Sequence, residues 1–196
     1  MCGGRGTRLD APVEKPLVDI CGRPMFDRIV ETLRRSSVET VHAVTSPYTP
    51  RTRARAAELD IDCIDAPGEG YVADLDFALE RDSVSKPVVT VVSDLPLLCP
   101  DHVDAAIAAA DGGSLTACVP VELKASFGAS IDDSLVFDYR GTDVCPTGLG
   151  VVGADPDPAD APSANTDSTM YLTTDSRLAL NVNRPTDIAL AEDRCE

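Results

Sequence analysis

Apolar positions along the first 120 residues switch repeatedly between helical and strand spacing. Met25, Ile29, Val30 and Leu33 fall on one face of a 3.6-residue period, and Pro24 suits a first helical position, so a helix is expected from Pro24 to about Arg35. A strand follows over 40–45, and Thr49-Pro50 reads as N-cap and first residue of a helix ending near Glu58. Ile61–Ile64 is a short apolar strand, Asp65-Ala-Pro-Gly-Glu-Gly70 a turn-rich loop, and Tyr71–Arg81 a helix. Val88-Val-Thr-Val-Val92 is a β-branched run of the kind found in strands covered on both faces. Asp101 is the expected cap of a helix to Ala110, and Leu115–Val119 is another strand. This alternation predicts an α/β fold of three layers around a mostly parallel central sheet.

The second half changes character. From about Ser126 to Val152 short strands and turns replace helical periodicity, which predicts a small strand-rich insertion. Residues 155–167 (DPDPADAPSANTD) read as a mobile, polar, Pro-rich loop. Strands are expected at 169–174 and 179–182, and a last helix from Arg184-Pro185 to about Asp193. The 196 residues fit one domain, 1–196.

Charge narrows the function. Lys and Arg number 17 against 33 Asp and Glu, a formal net charge of −16, which argues against coating nucleic acid or anionic membrane. Aspartate supplies 24 of the acids and arginine 14 of the bases, leaving only Lys15, Lys86 and Lys124. An Asp-rich, Lys-poor surface suits concentrated salt, where screening is nearly complete, and a halophilic source is expected, with an ordinary acidic cytosolic protein as the alternative. No run approaches the roughly 18–20 apolar residues of a membrane span, and the N-terminus lacks an apolar signal core, so a cytoplasmic location is expected. The seven cysteines (2, 21, 63, 99, 118, 145, 195) are spaced singly, as reduced thiols used as small apolar residues would be. His42 and His102 have no Cys or His at ligand spacing, so no zinc site is expected.

The chemistry concentrates near the start, in Gly3-Gly4-Arg5-Gly6-Thr7-Arg8 and Glu14-Lys15-Pro16-Leu17. Three glycines in four residues let backbone N–H groups close on a polyphosphate, with Arg8 and Lys15 as fixed positive charges beside them. The P-loop spacing is absent, and Leu9 stands where a dinucleotide fingerprint needs its third glycine. Residues 1–35 carry seven bases against five acids, whereas the other 161 residues carry ten against 28. The acidity therefore belongs to the general surface, and the local positive excess falls on the glycine loop.

This pair of motifs resembles the nucleotidyltransferase superfamily of sugar-nucleotide pyrophosphorylases and molybdenum-cofactor guanylyltransferases, whose signature is a strand, G-G-x-G-T-R, a variable loop and K-P. Within it, Glu14–Gly22, Thr45–Pro50, Pro67–Leu75, Val92–Leu95 and Asn181–Asn183 are similar to the archaeal GTP:adenosylcobinamide-phosphate guanylyltransferases. The resemblance implies a Rossmann-like fold, with 1–120 as the nucleotide-binding half and 121–196 as the acceptor side. It implies transfer of GMP from GTP to a phosphorylated corrinoid, with Mg²⁺ and release of pyrophosphate.

By the same resemblance Gly3, Gly4, Gly6 and Thr7 cradle the triphosphate, while Arg8 and Lys15 serve catalysis. Asp94, at the end of the 88–92 strand, and Asn183 hold the metal; turn and helix capping are the open alternatives for both. Gly68, Gly70 and Asp74 face the base, one exposed acid among many being the open alternative for Asp74, and Thr45 lines the site or makes an ordinary turn. Cys2 is read as packing. Other acceptors (molybdopterin, phospholactate, a sugar 1-phosphate) and a non-catalytic nucleotide-binding domain stay open, as does a monomer or homodimer. One departure from the family is that only Met1-Cys2 precede the glycines where a buried strand belongs, so a start assigned too late is expected.

Overall fold

A computed structural model of the chain describes residues 1–154 and 169–195; the loop expected at 155–167 lies outside the described residues. In chain order the elements are β1 (Asp19–Ile20), β2 (Arg23–Pro24), α1 (Met25–Arg35), β3 (His42–Thr45), α2 (Pro50–Glu58), β4 (Asp62–Asp65) and α3 (Tyr71–Leu79). There follow β5 (Val88–Val91), α4 (Pro100–Ala110), β6 (Leu115–Pro120), α5 (Val121–Phe127), β7 (Phe137–Tyr139), β8 (Thr142–Val152), β9 (Thr169–Leu172) and α6 (Pro185–Glu192).

The α/β alternation expected from the sequence is present, with a departure in strand direction. β3 and β4 pair in parallel, as do β6 and β9. The 11-residue β8, however, enters between β5 and β6 and runs antiparallel to both, so the sheet is mixed rather than mostly parallel. Its hairpin with β7 supplies the strand-rich insertion. Because β5 and β6 both oppose β8, they point the same way and present their carboxyl ends together.

Local chemistry shifts other boundaries. Cys99, not Asp101, is the N-cap of α4, since Pro100 takes the first helical position. Helix α5 stands where no element was expected, following Pro120 and ending at Gly128 in the left-handed region. The residues expected as a strand over 179–182 are irregular backbone that follows a 3-10 turn (Ser176–Leu178), and the Val182 N–H donates to the Asp94 carbonyl at 2.9 Å. Cys21 and Cys195 form a disulfide, with Cα atoms 6.5 Å apart, contrary to the reading of all seven cysteines as free thiols. α6 packs beside the β1–β2 hairpin and brings together residues 174 apart in sequence, which single cysteine spacing does not reveal. Cys2, Cys118 and Cys145 are buried free thiols, as expected.

Two apolar clusters place the functional segments. Val91, Leu95, Val103, Ala106, Leu115 and Leu149 join α4 to the central strands. Leu9, Val18, Ile20, Met25, Leu180 and Val182 form a second cluster, which seats the glycine-loop segment against the 180–183 segment. Leu9 is 2% exposed; burial of such a side chain contributes about 1.5–3 kcal/mol. At the N-terminus, the Met1 ammonium donates to the Val91 carbonyl at 2.7 Å, and Cys2 N–H donates to the Val44 carbonyl at 2.8 Å. These two residues bridge β3 and β5 beside a cavity of about 680 Å³ lined by Phe26, Val30, Ala43, Val44 and Val89. No helix among the described residues is long and apolar enough to cross a membrane.

Candidate active site

Lys15 sits on a 3-10 turn, Lys15–Leu17, that Pro16 helps to open. The preceding Glu14 fixes this turn from outside. Its carboxylate accepts from the N–H groups of Arg51 at 2.8 Å and Thr52 at 2.7 Å, capping the first turn of α2. Gly6 turns the chain toward Lys15 at φ +62°, where a Cβ would lie 2.9 Å from the Lys15 Cβ. A side chain there would displace the lysine stem, so glycine is required on both counts.

The Lys15 ammonium reaches across the end of the sheet. It forms an ion pair with Asp94 Oδ2 and donates to Asn183 Oδ1 at 2.8 Å. Asp94 leaves β5 at its carboxyl edge, and Asn183 comes from the segment fastened by Leu180 and Val182, so three distant parts of the sequence meet at one cation. Lys15 and Asp94 side chains are each 16% exposed, accessible yet largely shielded from water.

Behind this cluster lies a polar layer that the sequence reading missed. Asn181 donates to Asp94 Oδ1 at 3.1 Å and to the Thr147 carbonyl at 2.9 Å, while Lys124 donates to Asn181 Oδ1 at 3.0 Å. Asp187, fully buried, accepts from the backbone N–H groups of Asn183 and Arg184 at 2.9 and 2.8 Å and from Ser130. It thereby fixes the turn that presents Asn183. One signal for Lys124 was available: it is one of three lysines in a chain that otherwise uses arginine.

Burial holds the Lys124 ammonium below the ordinary lysine value of 10.5, against the opposing fields of Cys145, Asp94 and Asp187. The unfolded chain then binds this proton more tightly than the folded one, so stability rises with pH from the lowered value toward 10.5. Lys124→Met is expected to flatten that rise, read as the change in urea midpoint between neutral pH and pH about 10. An unchanged pH slope would show that the charge is not held as described.

The remaining predicted residues occupy a second wall. Ser46 Oγ donates to the Gly3 carbonyl at 2.7 Å and accepts from the Tyr48 N–H at 3.1 Å. The Arg5 guanidinium lies 4.1 Å over the Tyr48 ring. Gly68, at φ +81°, packs under that ring, where a Cβ would come within 2.8 Å of the ring carbon Cε2. Thr45, by contrast, is fully buried and donates its hydroxyl to Asp65 at 3.1 Å, so Ser46 is the residue that meets the glycine loop. Asp74 is 4% exposed, and its Oδ1 accepts from the N–H groups of Gly68 at 2.8 Å and Glu69 at 3.2 Å. Oδ1 thereby shapes the 67–70 loop from inside, while Oδ2 lies beside Gly3, where a Cβ would come within 3.1 Å of it. Gly70 is the N-cap of α3, Gly4 and Thr7 are exposed, and Arg8 stands apart on Asp132 at 2.5 Å. The Ser134 hydroxyl and then Arg8 hold the Asp132 carboxyl down to about 2.

Comparison with known proteins follows the same outline. Residues 1–130 match the family described as the MobA-like NTP transferase domain. Over 100 residues, 48% of the chain, the sequence is 40% identical to the adenosylcobinamide-phosphate guanylyltransferase of Methanocaldococcus jannaschii. Over 114 residues, 58% of the chain, it is 28% identical to the bifunctional protein GlmU of Alkalilimnicola ehrlichii. The aligned stretches span 50% of the first relative's length and 25% of the second's. Among solved structures, a hypothetical transferase from Thermus thermophilus shares the fold at a TM-score of 0.64, with 16% identity and 96% of each chain covered. A CMP:2-keto-3-deoxy-manno-octonic acid synthetase complexed with CTP does so at 0.59, with 14% identity over 84% of this chain and 85% of that one.

Proposed function

The chain belongs to the MobA-like NTP transferase family, and we propose that it transfers GMP from GTP to adenosylcobinamide phosphate, releasing pyrophosphate and giving adenosylcobinamide-GDP. The observation that carries this reading is the meeting of Lys15, Asp94 and Asn183 at the carboxyl edge of the sheet. The acceptor is supported by the 40% identity to the guanylyltransferase, over half of that relative's length.

In the proposed reaction an oxygen of the acceptor's phosphate attacks the α-phosphorus of GTP. A new P–O bond forms as the bond from Pα to the bridging oxygen breaks, and that oxygen leaves with pyrophosphate. The attacking phosphate is already ionised at neutral pH, so the protein supplies position and positive charge rather than a nucleophile. The N–H groups of Gly3–Thr7 hold the triphosphate, and Arg8 turns from Asp132 toward the departing pyrophosphate. Lys15 exchanges its contacts with Asp94 and Asn183 for the α-phosphate, where negative charge builds.

Asp94 and Asn183 then stand free as two oxygen donors, already arranged around one cation in the structure. These two side chains would hold the metal ion, with substrate phosphates and water as its further ligands. Such a set fits Mg²⁺, which favours one or two protein oxygens beside phosphates. When bound, it neutralises and polarises the phosphates.

The test is incubation in molar salt with GTP, Mg²⁺ and adenosylcobinamide phosphate. Formation of the GDP adduct with stoichiometric pyrophosphate is expected. Pyrophosphate release only with a different acceptor would reassign the substrate, and none with any acceptor would remove the activity.

A further inference from the structure

A second constellation of reactive groups lies at the opposite end of the loop that carries Asp94. Cys99 is the N-cap of the 11-residue α4, and its Sγ lies 3.4 Å from Nδ1 of His102. The Cys99 backbone N–H also donates to that nitrogen at 3.2 Å. An amide N–H can only donate, so Nδ1 carries the lone pair and the ring proton resides on Nε2. Nε2 in turn lies 3.0 Å from the carboxylate of Asp175, which comes from the segment after β9. Asp175 is held by its own partners: it accepts from the Arg177 backbone at 2.9 Å and from the guanidinium at 3.0 and 2.7 Å. Arg177 foremost, with His102 contributing, keeps this carboxyl ionised far below the usual carboxylate range.

Nucleophile, base and orienting carboxylate thus line up in the order that activates a thiol, with the base 8% exposed and Cys99 half-buried. A capping box accounts for the Cys99 sulfur at the His102 backbone N–H and for the His102 ring at the Cys99 amide. It gives no reason for Nε2 to be fixed by an anion that Arg177 already fixes.

We infer that Cys99 is a base-assisted reactive thiol that exchanges with small-molecule disulfides and carries a mixed-disulfide modification. The Sγ proton passes to His102 Nδ1, displacing the long amide contact, and Asp175 balances the resulting imidazolium. The thiolate attacks one sulfur of the incoming disulfide, the new S–S bond forms as the old one breaks, and the departing thiolate recovers the proton from Nδ1. The incoming disulfide is the only oxidant consumed. Cys63 is the internal control, a half-buried free thiol pushed up by burial and by Asp65, with no base beside it among the contacts of the described residues.

The intact protein is incubated with oxidised glutathione, and adducts on each cysteine are followed by peptide mass spectrometry. Cys99 is expected to react at least about tenfold faster than Cys63, and His102→Asn and Asp175→Asn to slow Cys99 alone by about tenfold. Circular dichroism identifies a variant that fails to fold, in which case the other variant decides. A Cys99 rate at or below that of Cys63, or one unmoved in a folded variant, overturns the inference.

Discussion

Replacing Lys15 with alanine is expected to lower kcat by roughly 10²–10³-fold while changing GTP affinity little, the size of effect seen when one preorganised charge contact to a developing anion is removed. The split between the two parameters follows from geometry. In the resting protein the Lys15 ammonium is satisfied by Asp94 and Asn183, so contacts to ground-state GTP replace contacts already made. What the lysine adds is the stronger attraction for charge that builds on the α-phosphate, in a site shielded enough for that attraction to count. Lys15→Arg is not expected to restore turnover. The stem passes against Gly6, and the broad guanidinium fork cannot take the position of a compact ammonium between two oxygens. Steady-state kinetics with GTP varied at saturating acceptor provide the check. A rise in KM with kcat preserved would place Lys15 in ground-state binding only.

Lys15 and Asp94 were legible in the sequence because each is tied to a local pattern. The glycine run and K-P mark a backbone conformation, and the apolar 88–92 run marks a strand whose end lies at a sheet edge. Neighbours on the same motifs were harder to assign. At the end of β3, Thr45 faces its ladder partner Asp65 and donates to it, whereas Ser46, just past the strand, meets Gly3. The sequence offers both hydroxyls without saying which way the strand faces. Asp74 shows a similar ambiguity: in sequence it reads as a base-facing carboxylate or as one exposed acid among many, and burial at 4% exposure removes the second reading.

Other features depend on pairing across long separations, for which composition carries no signal. β8 was obscured by Pro146, Gly148 and Gly150, residues that read as turns, although the strand is long and alternates buried with half-buried positions. Its place between β5 and β6 reflects the partners it finds, and that choice makes the sheet mixed. Lys124 belongs to the same class of misses. Only after α5 and the 181–183 segment are packed does the lysine lie behind Asn181, one residue removed from Asp94.

Asp94→Asn is expected to reduce kcat by roughly 10²–10³-fold as well, but with a distinct signature, because it removes charge while preserving shape. An asparagine retains an oxygen to accept from Asn181, so the polar layer and the fold stay in place. Its loss of charge weakens cation binding, and the Mg²⁺ concentration needed for half-maximal rate should therefore rise, which Lys15→Ala should not cause. The informative measurement is the double variant. Lys15 and Asp94 are in direct contact, and the proposed reaction requires the lysine to leave the carboxylate as the substrate phosphates arrive. Groups that act as one unit do not lose function multiplicatively. The double variant should thus be only slightly slower than the worse single one, far from the product of the two losses. Multiplicative losses would mean that the two residues act independently, and that their pairing at the sheet edge is a resting contact without a part in the reaction.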